Sequence, residues 1–132
     1  MRPNIDEYFL KIACVVAERS TCQRHYVGAV AVRSKHILST GYNGAGAGLR
    51  DCLELGCLRN ELNIPSGTRH EICRAIHAEQ NAIIGAARAG VSILGGTMYL
   101  YFAKRSPDGD KLVNALPCFW CKKTNIFFKK AW

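Results

Sequence analysis

The chain has 132 residues, 48% hydrophobic and 21% charged, which suits a single soluble domain from residue 1 to 132 and is short for two. It holds no apolar run of about eighteen residues, which excludes a membrane-spanning helix, and no secretory leader pattern at its start, so a reducing cytoplasm is the expected compartment. The formal net charge of +8 attracts anions at low salt, and it fits a phosphate-bearing substrate or a nucleic acid as well as it fits solubility alone.

In chain order, Asn4 with Glu7 three positions on forms a variant capping box, followed by Ile5, Phe9, Ile12 and Val16 at helical spacing. This predicts an amphipathic helix ending near Arg19. Two valine- and isoleucine-containing runs, 27–32 and 37–42, flank the polar 33–36 and predict a β-hairpin. Residues 41–48 hold four glycines and Asn43, which predicts a loop whose backbone takes positive φ and comes close to a ligand. The following stretch, 49–76, lacks periodicity but carries Cys52, Cys57, His70 and Cys73, and reads as an ordered insertion or a metal-held loop.

Residues 77–89 are rich in alanine and isoleucine and stop at Gly90, as a buried helix with glycine at C′ would. The β-branched and aromatic run 97–102 predicts a third strand, and 106–109 a turn. Pro117 then opens a last helix holding Cys118 and Cys121.

Seven cysteines in a reducing compartment, several in short-spaced pairs with histidine nearby, point to metal ligation more than to cross-linking. Two separated pieces carry the chemistry: His77-Ala78-Glu79, and Pro117-Cys118-Phe119-Trp120-Cys121. A closed structural zinc site needs four protein ligands, whereas one imidazole and two thiolates leave a fourth tetrahedral position for water. Both pieces lie where helices begin, and the positive dipole ends there favour thiolate over thiol. Glu79, two residues past His77, reaches the same region without binding the metal and can carry a proton. Alone, the Cys-x-x-Cys pair would fit a zinc knuckle, and Glu79 alone a solvated acid in a first helical turn.

The combination is recognised as the H-x-E and P-C-x-x-C signature of the zinc deaminases. Beyond the signature, the chain resembles the deoxycytidylate (dCMP) deaminase family through Cys22 with Val27-Gly28-Ala29-Val30, Gly41-Tyr42-Asn43-Gly44 and His77-Ala78-Glu79-Gln80-Asn81-Ala82-Ile83. The resemblance implies a cytidine deaminase-like α/β fold, a three-layer α/β/α sandwich whose mixed central sheet carries both zinc-bearing helices on one side. It implies hydrolysis of dCMP to dUMP and ammonia, with His77, Cys118 and Cys121 on zinc and Glu79 moving protons. Asn43 and Ala78 would contact the nucleotide, Asn43 at the sugar, and Arg24 and Arg50 are the candidates for its 5′-phosphate. The plain alternative for Asn43 is a positive-φ turn residue.

Some members of that family hold a second, structural zinc, for which Cys52, Cys57, His70 and Cys73 have suitable spacing and Cys22 is a further candidate. The ordinary alternative is buried thiols acting as small hydrophobes. Family members usually continue past the Cys-x-x-Cys helix into another strand and helix, so an early end at Trp132 would leave the third strand with an open edge. That predicts a homo-oligomer or a poorly stable chain. Two competing functions remain open: deamination of a base in tRNA or single-stranded nucleic acid, which the charge permits, and a zinc-stabilised binding module without turnover.

Overall fold

The computed structural model describes residues 2–45, 49–65, 76–104, 111–112 and 127–130. Helix α1 (Ile5–Ala17) starts at Asn4, whose side-chain oxygen accepts the Glu7 N–H at 2.8 Å, so the predicted cap forms and the helix ends two residues before Arg19. Strands β1 (His25–Arg33) and β2 (His36–Tyr42) make the expected antiparallel hairpin. The connection is tighter than the polar stretch 33–36 suggested: Ser34 and Lys35 alone turn the chain, at φ 53° and 63°. Positive φ at both central positions matches the right-handed twist of a two-residue hairpin, and the chain meets this requirement without glycine.

Two short helices, α2 (Cys52–Leu55) and α3 (Leu58–Glu61), give the insertion its described order. Asp51 caps α2 by accepting from the N–H groups of Leu53 and Glu54 at 3.0 and 3.1 Å. Helix α4 (Ala78–Arg88) begins at His77 and closes as predicted, with Gly90 at φ 72° and the Val91 N–H returning to the Ala86 carbonyl at 2.9 Å. Strands β3 (Thr97–Lys104), β4 (Lys111–Leu112) and β5 (Phe127–Lys130) complete the sheet.

The sheet runs β2-β1-β3, and the outer edge of β3 is shared between two further strands. At one end, Ala103 and Lys104 pair antiparallel with Leu112 and Lys111; along 97–100, β3 pairs in parallel with β5. The sheet is therefore mixed. The expectation that β3 carries an open edge is corrected here, because β5 occupies it. A four-residue strand whose partner lies some thirty residues earlier in the chain leaves little local trace in the sequence.

Alternation along β1 feeds two cores. Val27, Ala29 and Ala31 pack with Met98 and Leu100 against Ala78 and Ala82 of α4. Val30 and Val32 pack with Tyr99 against Phe9, Leu10 and Ala13 of α1 on the other face. Helix, sheet and helix thus form the three layers expected. No helix among the described residues is long and apolar enough to cross a membrane.

Candidate active site at the start of helix α4

The end of β2, the start of β1 and the end of β3 lie together, because Gly28 pairs with Tyr42 and His25 with Lys104. Helix α4 runs back along β2 from this end. Its first turn lies on Gly41, where a β-carbon would collide with the Ala78 carbonyl and the Ala82 amide. Farther along, the Ser39 hydroxyl donates to the Ala82 carbonyl at 2.6 Å. The residue leading into α4, Ile76, pairs reciprocally with Gly44, through N–H to O distances of 3.2 and 2.7 Å. Two local features therefore bring the segment 42–44 to the mouth of α4: a glycine that lets two backbones touch, and a backbone bridge.

His77 stands at the N-cap with extended backbone (φ −60°, ψ 148°), and its N–H donates to Oε1 of Gln80 at 3.3 Å. Ala78 is fully buried and Glu79 is only 6% exposed. Among the described residues, no hydrogen bond or ion pair engages the Glu79 carboxylate. Burying a carboxylate is costly, and the first-turn N–H groups and dipole of α4 favour a negative charge there.

Asn43 sits beside this pair, half-buried, with its N–H donating to the Val27 carbonyl at 3.2 Å and its carbonyl accepting from Thr21 at 3.0 Å. The loop differs from expectation in one respect. Neither Gly41, Gly44 nor Asn43 is among the positive-φ residues described, so these glycines serve close approach rather than backbone reversal, and Asn43 is no left-handed turn.

Both phosphate candidates make contacts within the chain. Arg24 donates through Nε to Asn60 Oδ1 at 2.7 Å and through Nη2 to the Ile64 carbonyl at 2.9 Å, tying the entrance of β1 to the insertion. Arg50 is exposed and pairs with Glu54 one helical turn on, at 3.3 Å. Cys22, Cys52 and Cys57 are all buried, and the Gln23 amide donates to the Cys52 carbonyl at 2.9 Å, bringing the residue after Cys22 against α2. Among the described residues no three His, Cys, Asp or Glu side chains gather into a metal-binding group. His70, Cys73, Cys118 and Cys121 lie outside the described residues, as do Pro117 and the helix expected there. The last described residue before that segment, Leu112, pairs with Ala103 at the same end of the sheet as His77.

The sequence reading gave no role to Asn81. Its amide nitrogen reaches the carbonyls of Tyr42, Gly44 and Ile76 at 2.8, 3.3 and 3.4 Å. The available signal was an amide one turn after His77, next to Gln80, in a helix rich in alanine and isoleucine.

Comparison with known proteins agrees with this architecture. The family described as "Cytidine and deoxycytidylate deaminase zinc-binding region" matches residues 3–131. The chain is 39% identical over 100 residues to a deoxycytidylate deaminase of Schizosaccharomyces pombe, covering 76% of this chain and 30% of that protein. It is 40% identical over 104 residues to that of Mycobacterium phage D29, covering 75% and 78%. It thus spans about a third of the length of the yeast relative and most of the phage one. Among solved structures it is similar to the dCMP deaminase of cyanophage S-TIM5 in complex with dCMP and dUMP. There the TM-score is 0.68 at 25% identity, covering 98% of this chain and 84% of that one. The chain belongs to the cytidine and deoxycytidylate deaminase family.

Proposed function

We propose that the chain hydrolyses the amino group of a cytosine nucleotide, dCMP to dUMP and ammonia, with Glu79 as proton carrier. The observation that carries this reading is Glu79, buried in the first turn of α4 two residues past His77, at the helix start to which the segment bearing Asn43 is bridged. Relatives named deoxycytidylate deaminase, and a related structure holding dCMP and dUMP, support the substrate.

The family is described as zinc-binding, and an imidazole at the mouth of α4 beside a buried acid fits such a group. His77, with Cys118 and Cys121, would hold the metal. When bound, zinc supplies a water that gives up a proton near neutral pH. Glu79 then takes a proton from the attacking water and passes it to N3 of the ring as oxygen adds at C4. It then takes a second proton from the hydroxyl now on C4 and carries it to the amino group, the C4–N bond breaks, the C4 carbonyl forms and ammonia leaves. Ala78, at the start of α4, would contact the nucleotide, and Asn43 its sugar.

Two further readings accompany this one. Cys22, Cys52 and Cys57, with His70 and Cys73, are proposed as ligands of a second, structural zinc, for which three buried sulfurs are the support. Cys14, Cys22, Cys52 and Cys57 carry no disulfide, which suits a reducing cytoplasm.

The test is ammonia release from dCMP, cytidine and a cytosine oligonucleotide, by the zinc-loaded protein and by Glu79→Ala. dCMP should be the best substrate. The variant should keep its zinc and lose turnover by a factor of roughly 10² to 10⁴. Preference for the oligonucleotide would move the substrate to nucleic acid, and no turnover with any substrate would leave a zinc-stabilised binding module.

A further inference from the structure

The β1–β2 ladder ends at the pair Gly28–Tyr42, and past it Asn43 is held through its backbone by Val27 and Thr21, and Gly44 by its bridge to Ile76. Helix α4 does not need Asn81 to dock: Gly41 against Ala78 and Ala82, and the Ser39 bond to Ala82, already seat it on β2. The Asn81 amide acts elsewhere. It gathers the carbonyls on either side of Asn43, those of Tyr42 and Gly44, together with that of Ile76, the residue just before His77. One NH₂ group thus reinforces the Gly44–Ile76 bridge between the segment bearing Asn43 and the start of α4, which bears His77 and Glu79. A displacement of about an ångström at a reacting centre can cost about a hundredfold in rate.

We propose that Asn81 is a positioning residue for the nucleotide sugar: it sets Asn43 at a fixed distance from His77 and Glu79, so that sugar binding aligns C4 with the proton carrier. This rests on the deaminase reading above. Asn81 contacts no substrate in this account and acts only through Asn43.

The experiment is a double-mutant cycle on the zinc-loaded protein with dCMP as substrate, using Asn43→Ala, Asn81→Ser and the double variant. Asn81→Ser should lower kcat/KM roughly 10- to 100-fold, with zinc content unchanged. The double variant should lose no more than Asn43→Ala alone, because the alanine removes the contact that Asn81 positions. Losses that multiply in the double variant, or an Asn81→Ser enzyme within twofold of the parent, would overturn the proposal. If Asn81→Ser does not fold, Asn81→Gln keeps the donors on a longer arm, and the same two outcomes decide. A parent enzyme without turnover on dCMP contradicts the deaminase reading instead, so the two failures are distinct.

Discussion

Helix α1 brings Phe9 and Leu10 to its face of the sheet, where they meet Val30, Val32 and Tyr99, whereas the apolar residues that α4 buries on the opposite face are alanines. Bulk fills the α1 face, and α1 meets the sheet backbone closely where Gly28 faces Ala13 and Ala17. On the α4 face the small residues bring helix and strand backbones together at Gly41, and the loop and helix start that form the proposed site depend on that approach. Large side chains supply most of the burial free energy; small ones supply position. Changes on the α1 face should therefore be felt first as stability, and changes on the α4 face first as activity.

The largest expected stability effect is on the α1 face. Phe9→Ala removes a ring that is 2% exposed and should cost about 3–5 kcal/mol in urea denaturation, with kcat per folded molecule little changed. A matching loss of kcat would erase the division between the faces. Gly41→Ala adds a methyl group against the α4 backbone and should cost about 1–3 kcal/mol, with a fall in dCMP turnover larger than that of Phe9→Ala.

A smaller effect comes from Tyr99, whose hydroxyl donates to Asp6 at 2.7 Å and ties the start of α1 to β3. Burial, then the hydrogen bond and charge of Asp6, push the Tyr99 pKa up from 10.0 to about 12. The folded state thus holds this proton more tightly than the unfolded chain does. The resulting stability is complete below pH 10 and is lost as pH rises towards about 12. Tyr99→Phe should be less stable by about 1.5 kcal/mol at neutral pH, and its deficit relative to the parent should shrink over that window. A deficit that stays constant to pH 12 would remove the Asp6 bond from the account. The smallest effect lies off both faces, at the hairpin: Lys35→Gly relieves a positive φ and should raise stability by about 0.5–1 kcal/mol.

Most of this framework was legible where the signals are local. The Asn4 cap, the apolar run 27–32, His77 heading a helix and Gly90 ending it are each written within a few residues of the feature they set. Long-range pairing was not legible. Four residues at Phe127–Lys130 become a strand only because β3 lies beside them. The glycines of 41–44 were legible as glycines but not in their use, since a missing β-carbon permits both positive φ and backbone contact, and only the position of α4 decides between them. The contacts of Arg24 are of the same kind: its positive charge is plain in the sequence, but its engagement with Asn60 and Ile64 is not.

In the proposed reaction the carboxylate of Glu79, a residue only 6% exposed, moves the protons. Glu79→Gln keeps the size of the side chain, so the most direct measurement is dUMP formation from dCMP by this variant, with zinc content and dCMP affinity determined on the same protein. Zinc content and affinity should stay near the parental values while turnover falls at least about a hundredfold; turnover close to that of the parent would rule Glu79 out as the proton carrier.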